Sequence, residues 1–242
     1  MRYPIAILAG LALLATTAGA RAGQLVVVSD SEAAGFARGS LIEEGTSVKI
    51  PDGQKLSLID ASGRGLTLRG PFEGAVRAAP GGGGNEAVLQ AVKAILVPVQ
   101  NTALGAVRDG GKVERPPDAR MVDISSNTTQ CVAAGEPIEL WRPIPIRETT
   151  LLLTRLGTGE RASAEWPAGA ATLAWPGALQ PADGETYAAQ LTDNSVRARF
   201  GLKFVPLGAG SSVEIAEKLA RAGCQAQAEL LLETIADPTG RP

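Results

Sequence analysis

Residues 39–72 have the sequence GSLIEEGTSVKIPDGQKLSLIDASGRGLTLRGPF, and the fold assignment starts from this stretch. Three short segments in it carry apolar side chains at every second position: Val48 and Ile50, Leu56 and Leu58, Leu66 and Leu68. This period of two places the apolar residues on one face of a β-strand and polar residues on the other. The Pro-Asp-Gly at 51–53 and the segment 60–63 between them favour turns. The stretch therefore predicts a small antiparallel meander with one face in water.

Further strands are predicted on both sides of this stretch. Leu25-Val26-Val27-Val28 is a wholly apolar and mostly β-branched run, which predicts a strand buried on both faces. A last short strand is expected near Ala75-Val76. Together these segments indicate four or five short strands in a small barrel or curled sheet, spanning residues 23–79.

The same residues resemble a known family. The stretch is similar to the β-domain of FecR-type bacterial envelope proteins. The similarity rests on Gly39, Gly45-Thr46, the Pro-Asp-Gly turn, the pattern Leu-x-Leu-Ile-Asp-x-x-Gly and the pattern Leu-x-Leu-x-Gly-Pro. The resemblance covers residues 24–78 and implies a periplasmic module. The best known members relay a signal from an outer-membrane transporter to an anti-sigma segment. No transmembrane helix is expected here, so the resemblance implies a non-enzymatic envelope module rather than that signalling role.

The first 22 residues have the features of a secretory signal peptide. Arg2 supplies a positive charge, residues 5–15 form an apolar segment, and Ala18-Gly19-Ala20 is a small-x-small cleavage motif. Ala20-Arg21-Ala22 offers a second cleavage site. The apolar segment is shorter than the roughly 20 residues that span a bilayer. We therefore expect a cleaved signal peptide and a soluble periplasmic protein.

Composition excludes one class of partner. The 242-residue chain has a formal net charge of −2 and only 4% aromatic residues. A nucleic-acid-binding protein needs a basic surface, and single-strand binders also use aromatic stacking platforms. We therefore expect no nucleic-acid partner.

Residues 80–120 are predicted to be a linker, a short helix and a connector. Gly81 to Gly84 follow Pro80 and predict a flexible joint, since no Gly-Lys-Ser/Thr completes a phosphate-binding loop. Asn85 is a helix cap candidate, and Val88, Ala91, Val92 and Ile95 then lie on one helical face.

Residues 121–207 predict a second domain made of strands. Eight candidate strands recur about every ten residues between Gly, Pro and Asp-Gly turns, a spacing typical of an antiparallel β-sandwich of the immunoglobulin-like type. These are residues 121–124, 129–133, 138–141, 149–154, 162–166, 171–175, 186–192 and 196–205.

Residues 208–242 predict a C-terminal helical tail. Ser211 and Glu214 have the spacing of a capping box, Gly223 is expected to break the helix, and Pro238 to end it. Five residues are expected to form one apolar stripe along the tail: Ile215, Leu219, Ala222, Ala226 and Leu230.

The two cysteines, Cys131 and Cys224, predict one disulfide, because an exported chain folds under oxidising conditions. The alternative is two buried free thiols. The bond would hold the helical stripe against the sandwich. Its reduction is then expected to loosen residues 211–236 while the N-terminal module stays folded.

The sequence offers little for catalysis. It contains no histidine, which removes Ser-His and Cys-His pairs and most zinc sites. Clustered carboxylates remain as weak candidates for acid-base chemistry or calcium binding: Glu43 and Glu44, Asp183 and Glu185, Asp30 and Glu32, Asp52 and Asp60. We predict no catalytic, metal or cofactor site.

The function prediction is a non-enzymatic periplasmic protein that binds or scaffolds a protein partner in the envelope. The alternative is an envelope-polysaccharide-binding module or a weak carboxylate-based glycan hydrolase. That alternative depends on Trp141, Trp166 and Trp175 forming a sugar-stacking face, whereas a chain poor in aromatic residues is expected to use them as core fillers.

Overall fold

The computed structural model describes residues 23–29, 35–78, 84–97 and 114–239. The predicted signal peptide, Asp30, Glu32, most of the glycine linker and residues 98–113 of the connector lie outside the described residues. Within the described ranges, fourteen strands form four sheets and are accompanied by three helices. The first six strands are β1 (Gln24–Val27), β2 (Leu41–Glu43), β3 (Ser47–Ile50), β4 (Lys55–Asp60), β5 (Gly65–Arg69) and β6 (Phe72–Ala75). Helix α1 (Glu86–Leu96) follows.

Eight more strands come next, at positions close to those that the sequence predicts. They are β7 (Val122–Asp123), β8 (Thr129–Ala133), β9 (Glu139–Trp141), β10 (Thr149–Arg155), β11 (Arg161–Trp166), β12 (Thr172–Ala174), β13 (Thr186–Leu191) and β14 (Arg197–Val205). The chain then forms α2 (Ser212–Arg221) and α3 (Gln225–Ala236).

The first sheet has the order β2-β1-β4-β5, and all its pairs are antiparallel. Its central strand β1 is buried, and Leu25, Val26, Val27 and Val28 are fully covered, which confirms the prediction for this run. The order of the strands was predicted wrongly at β3. This strand pairs with β6, not with β4, and no closed barrel forms in the described part of the chain.

A tight corner explains why β3 leaves the meander. The amide of Gly70 donates to the carbonyl of Gln54 at 2.8 Å, and a Cβ at Gly70 would lie 1.7 Å from the carbonyl oxygen of Pro51. This close backbone approach brings the ends of β3 and β5 together, so β6 is placed beside β3. Alternation of apolar residues identifies a strand, but it does not specify its partner.

The expected wet face of the first sheet is covered by helices. Every residue of β4 after Lys55 is buried, and Ser57 is only 3% exposed. Val26 and Ile59 share one apolar core with Val92 of α1 and Leu232 of α3. The hydroxyl of Thr67 donates to the carbonyl of Ala236 at 2.7 Å. The C-terminal helices therefore form a second layer on the N-terminal sheet, a long-range packing that local sequence alternation does not encode.

The helix signals are confirmed at their ends. Asn85 Oδ1 accepts a hydrogen bond from the amide of Ala87, and the capping box of Ser211 and Glu214 is complete. Gly223, with φ +89°, separates α2 from α3. The break at Gly223 changes which side chains face the core. The prediction of a single apolar stripe is therefore wrong for the residues after Gly223. Ala226 is exposed, and the fully buried side chains of α3 include those of Ala228 and Leu232.

The second set of strands forms two sheets around a common core. A five-stranded sheet has the order β11-β10-β13-β14-β8, and a three-stranded sheet has the order β12-β9-β7. Buried side chains from both sheets meet in this core, among them Leu140, Leu151, Tyr187 and Phe200. The prediction of uniformly antiparallel strands is wrong at two edges, since β8 is parallel to β14 and β7 is parallel to β9. No hairpin joins these pairs, so nothing forces them to run in opposite directions.

The disulfide between Cys131 and Cys224 is present, which confirms its prediction. Both cysteines are fully buried and their Cα atoms are 5.8 Å apart. The bond joins β8 of the five-stranded sheet to the residue that precedes α3. Both cysteines lie in the core that the helices share with Val26 and Ile59, so the bond ties an edge strand of the five-stranded sheet to the helical layer that covers the first sheet.

In the part of the chain that the structure describes, none of the helices combines the length and the apolar character needed to cross a bilayer.

Candidate functional site

Three loops meet at the end of the five-stranded sheet where β10 begins. They are residues 142–148 between β9 and β10, residues 167–171 between β11 and β12, and residues 192–196 between β13 and β14. We call this surface the three-loop end. Its geometry is fixed by one buried arginine, one hydroxyl pair and one aspartate turn.

Arg142 ties two of these loops together. Its side chain follows directly after β9 and is only 2% exposed. Nε donates to the carbonyl of Ala170 at 3.2 Å, while Nη2 donates to the carbonyls of Arg147 at 3.0 Å and Pro167 at 2.8 Å. The planar guanidinium suits such a set, because its donors point in fixed directions. The charge therefore holds both loop backbones in place.

The charge of Arg142 is balanced by its surroundings. Its guanidinium carbon lies 5.0 Å from the centre of the Trp166 ring, which gives a cation–π contact. Burial lowers the pKa of Arg142, and the negative charge of Asp193 opposes that change. An arginine nevertheless stays protonated at any physiological pH. The three-loop end thus contains a permanent buried cation facing an aspartate of the third loop.

The third loop is joined to the start of β10. The hydroxyls of Thr149 and Thr192 lie 3.2 Å apart, and the amide of Thr192 donates to the carbonyl of Thr150 at 3.0 Å. Asp193 Oδ1 accepts hydrogen bonds from the amide and the hydroxyl of Ser195, at 3.0 and 2.7 Å. The bond from the Ser195 side chain is the main reason why the pKa of Asp193 lies below its ordinary value. The aspartate is therefore ionised at neutral pH, and Ser195 holds its side chain within the loop.

The first loop presents two isoleucines to solvent. Ile144 is 62% exposed and Ile146 is 75% exposed, the highest values among the large apolar side chains of the described residues. Ile144 has φ +53°, a conformation that a β-branched residue rarely adopts. Hydrogen bonds hold the backbone there: the amide of Gly169 donates to the carbonyl of Pro145, and the amide of Ile144 donates to Glu114 Oε2. Strained backbone conformations of this kind cluster at binding sites.

The three-loop end combines exposed apolar side chains with a backbone that hydrogen bonds hold in place. Apolar side chains held on a fixed loop fit a contact surface for another protein. Among the residues that the structure describes, no group of three or more Cys, Asp or Glu side chains is placed to hold a metal ion.

Three of the carboxylates proposed from the sequence accept hydrogen bonds that hold the fold together. Glu44 Oε1 accepts from the amide of Ala78, and Asp183 Oδ1 accepts from the amide of Phe204. Asp60 binds Ser62 and Arg64 through both oxygens. Burial raises the pKa of Asp60, but the hydrogen bonds and the charge of Arg64 outweigh it, so the pKa lies below its ordinary value. These groups are not gathered at the three-loop end.

The three tryptophans belong to the cores, as expected. Trp166 is fully buried and Trp141 nearly so. Trp175 packs edge-on against Tyr187, with ring centres 5.0 Å apart, and its Nε1 donates to the carbonyl of Leu179. A sugar-stacking face needs exposed rings. The tryptophans therefore do not form the sugar-stacking face on which the polysaccharide alternative depended.

Sequence reasoning did not single out the three-loop end. A usable signal was present in Pro143-Ile144-Pro145-Ile146, where two isoleucines alternate with two prolines in the segment that connects β9 and β10. The burial of Arg142 had no such signal, because an arginine between strands is ordinarily exposed.

Comparison with known proteins does not identify a family for this chain. No family model matches the chain, and no curated protein matches it in sequence. The resemblance of residues 24–78 to FecR-type domains therefore stays a hypothesis.

Proposed function

We propose that this chain is a non-enzymatic binding module of the bacterial cell envelope that recognises a protein partner through the three-loop end. The observation that carries the proposal is the pair Ile144 and Ile146, the most exposed large apolar side chains of the described residues, on a loop fixed by buried Arg142. Exposing apolar groups costs free energy in water, and fixing them in advance reduces the entropy lost on binding. Both features favour a contact surface.

The strand order supports an immunoglobulin-like assignment of residues 121–207. In that fold, strands C, F and G lie in one sheet and strands B and E in the other. The order β10-β13-β14 matches C, F and G, while β9 and β12 match B and E. Tyr187, near the start of β13, accepts a hydrogen bond at its hydroxyl from the amide of Ala182, five residues earlier. This corresponds to the tyrosine corner of such domains.

The same assignment explains the position of the site. The loops at 142–148 and 192–196 correspond to the B–C and F–G loops, which bind antigen in antibody variable domains. This is an analogy of fold, and the chemistry of the exposed isoleucines is what favours a protein partner here.

A periplasmic location is supported by two features. The first 22 residues have signal-peptide character, and the disulfide fits an oxidising compartment outside the cytoplasm. In the proposed arrangement, the FecR-like sheet and the helical layer form a platform, and the disulfide attaches the binding domain to it.

Site-specific photo-crosslinking in cells of the source organism tests this function. Benzoylphenylalanine replaces Ile146 in one strain and Leu156, which is exposed at the opposite end of β10, in a control strain. We expect a discrete protein adduct from position 146 and none from position 156. Equal adducts from both positions, or none from 146, would reject the three-loop end as the binding site.

A further inference from the structure

We propose that the outer face of the five-stranded sheet binds an extended acidic segment of a protein. This surface, the basic face, carries four cations: Arg161, Arg197, Arg199 and Lys203. The inference goes beyond the proposed function, because it concerns a different surface and does not depend on the isoleucines of the three-loop end.

Strand β14 supplies three of these cations, at three of its four consecutive outward positions, with Gly201 at the other. Arg197, Arg199 and Lys203 are exposed, whereas Ala198, Phe200 and Leu202 between them are buried in the core. Outward side chains two residues apart on a strand are about 6.8 Å apart. Arg197 and Arg199 therefore form a short ladder of positive charge along the strand.

The strand register places a second wall opposite this ladder. Arg199 pairs with Ala188, Ala188 with Thr154, and Thr154 with Arg161. Short side chains thus lie between two arginines that are three strand spacings, roughly 14 Å, apart. Next along β14, Gly201 pairs with Thr129 and has no side chain at all. In the neighbouring row, Arg197 pairs with Gln190 and Gln190 pairs with Leu152, which is 41% exposed, so a shallow trough is limited to the row between Arg199 and Arg161.

Among the residues that the structure describes, these arginines have no anionic partner. In the described ranges, no salt bridge involves Arg161, Arg197 or Arg199, although arginines elsewhere pair with carboxylates. Lys203 donates to the carbonyl of Ala222, which leaves its charge unmatched as well. Glu165 of β11 is a carboxylate on the same face, near its far corner. In a chain of net charge −2, such a concentration of cations indicates an anionic partner.

Spacing favours a peptide as that partner. An extended peptide with an acidic residue at every second position repeats its carboxylates at the same distance of about 6.8 Å. Each carboxylate then faces one guanidinium, and planar pairs of this kind accept two parallel hydrogen bonds. Beside Arg199, the short side chain of Ala188 and the absence of a side chain at Gly201 leave room for the backbone of such a peptide.

Isothermal titration with two synthetic peptides tests the inference on the full mature protein. One peptide alternates threonine and glutamate, and the other has the same composition with its glutamates contiguous. We expect the alternating peptide to bind about tenfold more tightly, and binding to weaken as salt increases. Arg197→Gln/Arg199→Gln should reduce its affinity by about tenfold or more. Arg77→Gln/Lys93→Gln, which removes two exposed cations far from the sheet, is the matched control and should not change it.

Charge reversal keeps the test decisive if the neutral variant folds poorly. Arg197→Glu/Arg199→Glu should lose the glutamate peptide and gain the corresponding alternating threonine–lysine peptide. Three results would overturn the inference: equal affinity for both glutamate peptides, no effect of Arg197→Gln/Arg199→Gln, or tighter binding of polygalacturonate than of the alternating peptide. The last result would assign the basic face to an acidic polysaccharide.

Discussion

Gln227 of α3 holds both backbone groups of Cys131 in β8. Its Oε1 accepts from the amide of Cys131 at 2.6 Å, and its Nε2 donates to the carbonyl of the same residue at 2.9 Å. Cys131 is also bonded through sulfur to Cys224. The glutamine side chain satisfies backbone groups of an edge strand that no other strand pairs on that side. One residue of the five-stranded sheet is thus attached twice to the helical layer.

Removing the disulfide should destabilise more than the helical tail. The bond joins residues 93 positions apart, and in the chain-entropy model a loop of this size contributes up to about 4–5 kcal/mol. We expect Cys131→Ala/Cys224→Ala to lower the free energy of unfolding by a large part of that amount in urea titrations. Because α2 and α3 share a core with β1 and β4, hydrogen exchange should rise in the first sheet as well as in 211–236.

That expectation differs from the sequence-based prediction, in which only residues 211–236 loosen on reduction. Exchange that increases in 211–236 alone would restore the earlier prediction. Gln227→Leu in the oxidised protein is the comparison variant, since it removes the hydrogen bonds to Cys131 and keeps the covalent link.

Gly65→Ala should separate α3 from the first sheet. A Cβ at this position would lie 1.9 Å from the carbonyl oxygen of Ile235 and 2.6 Å from Cα of Ala236, both of them backbone atoms. A forced shift of this kind typically costs about 1–3 kcal/mol. Thermal unfolding should therefore show a clearly lower Tm. Gly177→Ala is the control, because no atom lies within 4 Å of its added Cβ, and a similar loss in both variants would contradict the argument.

Asp237 should make stability sensitive to acid. Its side chain is 5% exposed and accepts from Lys55 and Arg69, each at 2.8 Å. Burial alone would raise the pKa of Asp237. Hydrogen bonds from Lys55 and Thr239, together with the charges of Lys55 and Arg69, outweigh that effect, so the pKa lies below its ordinary value. The ionised form therefore stabilises the fold above the unfolded pKa of about 3.9, and this contribution is lost as pH falls through the folded pKa.

Asp237→Asn tests this relation. Since Lys55 and Arg69 are half exposed, we expect a loss of only about 1–2 kcal/mol at neutral pH. Urea titrations at several pH values should show the gap between wild type and variant closing below about pH 4. A gap that stays constant from pH 7 to pH 3 would mean that the carboxylate charge contributes nothing.

Arg142→Lys should loosen the three-loop end without dismantling the core. A lysine cannot reach the carbonyls of Arg147, Pro167 and Ala170 together, so buried acceptors lose their partners at a cost of about 2–3 kcal/mol. Hydrogen exchange should increase in 143–148 and 167–171. Arg147→Lys keeps the same chemistry on an exposed side chain and should leave exchange there unchanged. Unaltered exchange in Arg142→Lys would show that other contacts fix the loops.

Much of the fold could be predicted because its signals are local. Period-two alternation between turn residues located the strands of residues 121–207 to within a few residues, and capping residues located the ends of the helices. The partner of β3, the parallel edges and the packing of α3 on β4 depend on contacts between distant parts of the chain. Alternation of apolar residues contains no information on those contacts.

The candidate site was harder to predict for the same reason. Ile144 and Ile146 can be recognised as unusual in the sequence, but their exposure depends on the loop conformation that Arg142 imposes. The ladder of Arg197 and Arg199 can be predicted from strand alternation. The position of Arg161 on the same face depends on how four strands pair, which alternation does not specify.

Binding of a protein through the three-loop end is tested most simply by quantitative affinity capture from envelope extract of the source organism. The capture compares Ile144→Ser/Ile146→Ser with wild type. Leu156→Ser, exposed at the opposite end of β10, is the control. We expect wild type and Leu156→Ser to enrich the same protein, and Ile144→Ser/Ile146→Ser to lose it while keeping the wild-type Tm. Equal enrichment by all three proteins would contradict binding through the three-loop end.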